Sequence, residues 1–131
     1  MLECVGDPIS VDWRRIIGWL NGHVPVIAAL VRSPADAGTV EAIAGDVGVA
    51  LPADLCRWWA LTDGFPAGAV EALIPWIHVP LPTVDAREER RHLLAVSASV
   101  PRSEEGMDAE AGGFSHWYQP AFVPISTDHC G

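Results

Sequence analysis

Apolar positions recur at helical spacing over most of the first half of the chain. Trp13, Ile16, Ile17 and Leu20 fall at i, i+3, i+4 and i+7, which predicts a helix over Val11–Leu20 capped by Ser10 and stopped by Asn21-Gly22. Val24 to Val31 is apolar and fits a short helix or an extended piece equally well, ending at Ser33-Pro34. A second helix is predicted from about Asp36 to Val47, with Val40, Ile43, Ala44 and Val47 on one stripe and Gly45 and Gly48 weakening or ending it. A third carries Leu51, Leu55, Trp58 and Trp59 on one face, with Pro52 in its first turn and Thr62-Asp63-Gly64 closing it. Trp58 is read as core. Trp59, rotated from it by about 100°, is read as reaching a rim or interface.

After Phe65 the pattern changes. Ala72 to Val79 is β-prone but broken by Pro75 and bounded by Pro80 and Pro82, which predicts short edge strands or a bent strand. Thr83 to Leu94 reads as a solvated, charged helix with a Thr cap, and Glu88 lies three residues before Arg91. Ser97 to Gly113 has no periodicity and carries Glu104, Glu105, Asp108 and Glu110, the pattern of a long acidic loop. Phe114 to Ser126 is aromatic and β-branched again, with Pro120 and Pro124 limiting strand pairing.

Composition narrows the function. The 131 residues are half hydrophobic and 19% charged, with a mean hydropathy of +0.22, which fits one globular domain over residues 1–131. All eight basic residues are arginine, against seventeen acidic ones, and the net charge is −9. An acidic chain of this kind is a poor ligand for nucleic acid or an anionic membrane, since both require a cationic face. Residues 1–10 lack the basic and apolar regions of a signal peptide, so a reducing cytoplasm is the expected location.

Candidate chemistry is sparse. Cys4, Cys56 and Cys130 form no CxxC pair, and the five histidines show no paired metal-ligand spacing. Neither the P-loop nor the dinucleotide fingerprint occurs, so no cofactor and no metal are expected. The alternative to a binding protein is a small cysteine-dependent hydrolase using Cys56 or Cys130 with a histidine. The acidic segment fits an electrostatic face for a basic protein partner.

The order of motifs resembles the SUKH superfamily, which holds the fungal Smi/Knr cell-wall synthesis regulators and many bacterial toxin-immunity proteins. The likeness rests on Gly48-Val49-Ala50-Leu51-Pro52-Ala53-Asp54-Leu55 running into Trp58 and closing on Asp63-Gly64. It rests also on Trp117 followed by Phe122-Val123-Pro124-Ile125. Where the family usually has a glutamate in the second helix, this chain has Ala44, with Asp46 two places on. The family's later strands and C-terminal helix have no counterpart before Gly131, so the expectation is a C-terminally truncated chain or a sheet completed differently. The resemblance implies an α+β fold, with N-terminal helices packed on a twisted, largely antiparallel sheet. It also implies a non-catalytic protein that neutralises a cognate toxin, often a nuclease, by occluding its active site. Glu104, Glu105, Asp108 and Glu110, with Trp59 and Trp76, are the candidate partner-binding residues.

Overall fold

The computed structural model describes residues 7–66, 68–69, 78–99 and 118–128. Among them are five helices: α1 (Pro8–His23), α2 (Pro25–Ala28), α3 (Ala37–Val47), α4 (Ala53–Leu61) and α5 (Thr83–Ser99). Two short strands, β1 (Val79–Pro80) and β2 (Ser126–Thr127), complete the elements. The strands pair antiparallel, Val79 opposite Thr127 and Pro80 opposite Ser126. The chain is therefore of loose α+β class, mostly helical with a small sheet.

The helix ends follow from local chemistry. Asp7, not Ser10, caps α1: its carboxylate accepts from the Ser10 amide and, at 2.7 Å, from the Ser10 hydroxyl. The helix also passes through Asn21-Gly22 and ends at His23, because glycine weakens a helix without being obliged to stop it. Val24–Val31 resolves as the short helix α2 followed by a turn. Asp36 caps α3 by accepting from the Thr39 amide at 2.9 Å, and Gly48 closes it in the left-handed conformation.

Two packing expectations are corrected. On α1, Trp13 and Leu20 are buried, while Ile16 stays 39% exposed. The inward face is centred on Trp13, Ile17 and Leu20, and Ile16 lies to one side of it. On α4 the roles of the two tryptophans are reversed. Trp59 is 1% exposed and forms the main cluster with Ile43 and Val47, so it is not available as a partner-binding side chain. Trp58 is half-buried and meets Trp13 edge-on, with ring centroids 4.7 Å apart. The register is set by α3 and by the Trp59 carbonyl, which accepts from the Ala35 amide at 2.8 Å. Leu51, Leu55 and Val123 pack around this cluster, and Phe65 and Val79 make a second one with Ile27, Leu30 and Val31.

The helix predicted as Thr83–Leu94 runs on to Ser99 and is not merely a solvated face. Ala86, Arg90 and Ser97 are buried along one side. The first three residues of the expected acidic loop are its last turn. The acidic residues themselves, with Trp76, Trp117, Cys4 and Cys130, lie outside the described residues.

Candidate functional site

The segment joining α4 to the sheet is the best-organised polar junction among the described residues. Thr62 to Phe65 threads between residues 32–33 and β1. The Asp63 amide donates to the Ser33 carbonyl (2.7 Å), the Gly64 carbonyl accepts from the Arg32 amide (2.9 Å), and the Phe65 amide donates to the Pro80 carbonyl (3.0 Å). The Asp63 carboxylate reaches the start of α5, where Oδ1 accepts from the Thr83 amide at 2.7 Å and the Thr83 hydroxyl at 2.9 Å. Its Oδ2 lies 3.4 Å from the Arg32 guanidinium. Thr83 is thus the first residue of α5 and not its cap. Its otherwise orphaned amide is satisfied by a carboxylate from across the fold.

Gly64 has positive φ without being the cap of α4, which ends at Leu61 with Thr62 as its cap. A Cβ on Gly64 would lie 2.6 Å from the Pro80 carbonyl oxygen and 2.8 Å from that of Leu81. Both the left-handed backbone and the close approach of β1 exclude a side chain there. Asp63 and Gly64 therefore have a structural reason of their own. Of the other motif residues, Leu55 and Leu51 pack on the core, Pro52 and Asp54 are exposed, and Asp54 sits in the first turn of α4, where its charge favours the helix dipole. Phe122 and Pro124 are half-buried and Ile125 is exposed.

A second network separates the charges of α5. Arg87 bonds the Asp46 carboxylate at 2.5 and 3.3 Å, and Arg90 donates to the carbonyls of Asp46 and Pro120. The Arg87 hydrogen bond, with the nearby charges of Arg87, Arg91 and Arg90, holds Asp46 below the usual carboxylate range. Asp46 in turn raises Arg87. Arg90 is only 6% exposed, and its Nε has no hydrogen-bond partner among the described residues. With about 100° per residue, Asp85, Glu88 and His92 fall on the side of α5 opposite Arg90, and Glu89 and Arg91 lie on its two flanks. Glu88 and His92 are exposed there, and Asp85 and Glu89 are half-buried. Arg87 and Arg90 are turned toward α3, and Asp85 and Glu88 away from it. Sequence spacing carries this division, since three carboxylates at i, i+3 and i+4 share a face, but the neutralising partner Asp46 is far away in the chain.

The C-terminal segment is pinned to this side. The Tyr118 hydroxyl donates to the Phe122 carbonyl at 3.0 Å, the two rings meet edge-on, and burial pushes the phenol up.

Cys56 is a free, half-buried thiol on α4. Among the described residues no hydrogen bond joins it to a histidine; His23 instead bonds the Trp19 carbonyl at 2.9 Å and stacks on the Trp19 ring. Among the described residues, no group of three or more His, Cys, Asp and Glu could hold a metal ion, and no helix is long and apolar enough to cross a membrane. The chain matches no protein-family model, and no curated protein matches it.

Proposed function

We propose that the chain is a non-catalytic protein-binding domain of the SUKH kind that neutralises a basic partner, such as a bacterial toxin of nuclease type. The observation that carries this reading is the division of charge on α5. Arg87 and Arg90 are engaged with Asp46 and with backbone carbonyls, so of the three arginines on the helix only the exposed Arg91 is left to offset the negative charge of Asp85, Glu88 and Glu89. That stripe adds to Glu104, Glu105, Asp108 and Glu110 in a chain of net charge −9. A nuclease active site is cationic because it holds phosphate, and a carboxylate-rich surface can occupy it by presenting the same charge.

On this reading the domain spans residues 1–131, works in the cytoplasm and needs no cofactor, and its N-terminal helices pack on a twisted, largely antiparallel sheet. The test is affinity capture with the immobilised chain from extracts of the cells that carry it. Wild type should retain a basic protein that a variant with Glu88, Glu89, Glu104, Glu105, Asp108 and Glu110 neutralised does not. Retention of no basic protein, or equal retention by both, contradicts the proposal.

A further inference from the structure

The outward side of α1 carries large apolar groups among its charged side chains. Val11, Ile16 and Trp19 are exposed, Trp19 at 56%, while α2 and α4 pack against the helix from its other side. The Trp19 ring lies flat on His23, with centroids 4.6 Å and planes 10° apart. At about 100° per residue, Val11, Asp12, Arg15, Trp19 and His23 share this outer side, with Ile16 at its border with the buried face. Of the described acidic residues, only Asp12 lies on it.

The order of these residues is self-complementary. Asp12 lies near the start of the helix and His23 at its end, with Arg15 and Trp19 placed similarly about its middle. We infer that α1 is the interface of a two-fold symmetric homodimer in which two copies pack antiparallel through this face. About an axis near Ile17, Asp12 of each copy meets His23 of the other. Arg15 and Ile16 of each copy meet Trp19 of the other, so every contact is made twice, as an isologous interface requires.

Charge complementarity selects a second copy as the occupant. His23 Nδ1 donates to the Trp19 carbonyl, so it is the imidazolium form of the ring whose Nε2–H donates to an external carboxylate. A guanidinium over an indole face is a favourable cation–π contact. Within one copy Arg15 lies 3.4 Å from Asp12, with side chains 81% and 67% exposed, a pair that contributes little and exchanges readily for contacts across the interface. A helix of 16 residues is about 24 Å long and offers less than the roughly 800 Å² per partner of a standard interface, so the dimer is a weak one.

This interface lies on α1 and not on the α5 stripe, and it does not depend on the proposed function. Analytical ultracentrifugation of the full chain over an about thousandfold concentration range tests it. Wild type should pass from monomer to dimer, and Trp19→Ser should associate at least about tenfold more weakly. Trp19 is exposed, so the variant should keep its fold, which circular dichroism checks. Asp12→Arg and His23→Asp should each weaken association, and the double variant should recover it. A monomer at all concentrations, a Trp19→Ser variant that dimerises as well as wild type, or a double variant no better than the singles contradicts the inference.

Discussion

The Asp63 carboxylate holds the first turn of α5 by accepting two hydrogen bonds from Thr83, one from its amide and one from its hydroxyl. A single side chain thereby couples the end of α4 to the helix that carries the acidic stripe. Asp63→Ala removes a remote helix cap and leaves a buried amide and hydroxyl unpaired, a loss of about 2–3 kcal/mol. Asp63→Asn keeps an acceptor and should lose less. Urea unfolding of both variants measures the difference, and equal losses would mean that the cap does not depend on the acceptor.

Gly64 should tolerate no side chain. The left-handed backbone and the two carbonyl oxygens of Pro80 and Leu81 act together, so Gly64→Ala should cost about 2–4 kcal/mol. A neutral substitution in the same unfolding experiment would require β1 to lie elsewhere.

The two adjacent tryptophans should separate clearly in stability. Trp59→Ala empties a fully buried site and should cost about 3–5 kcal/mol, whereas half-buried Trp58→Ala should cost clearly less. The reverse order would restore the register read from spacing alone.

That pair shows what the sequence could carry and what it could not. Helix α3 was legible to within a residue, because its cap, stripe and closing glycine are all local. The register of α4 was not, since Trp58 and Trp59 are equally apolar and the choice between them depends on α3 and Ala35 packing from outside. Arg90 reads as solvated by its charge, yet it is buried because carbonyls at Asp46 and Pro120 receive its guanidinium. The cap on Thr83 was hidden for the same reason: its acceptor lies twenty residues upstream, across the fold.

Acid should weaken the fold through two carboxylates. Asp7 is held below its ordinary value chiefly by the Ser10 hydroxyl, and Asp46 chiefly by Arg87. Groups with a depressed folded-state pKa contribute stability above their unfolded value, near pH 4, and lose it as pH falls through the folded value. Stability measured between about pH 5 and pH 2 should therefore decline, and less steeply in Asp46→Asn. An unchanged slope in that variant would remove Asp46 from the acid response.

Binding to a basic partner is tested most directly by association rates of the captured protein at two salt concentrations. The comparison is between wild type and the variant with Glu88, Glu89, Glu104, Glu105, Asp108 and Glu110 neutralised. Wild-type association should slow as salt rises, because screening acts over about 8 Å at physiological strength. The neutralised chain should associate at least several-fold more slowly at low salt, with its fold intact. A wild-type rate indifferent to salt, matched by that of the neutralised chain, would contradict an acidic binding surface.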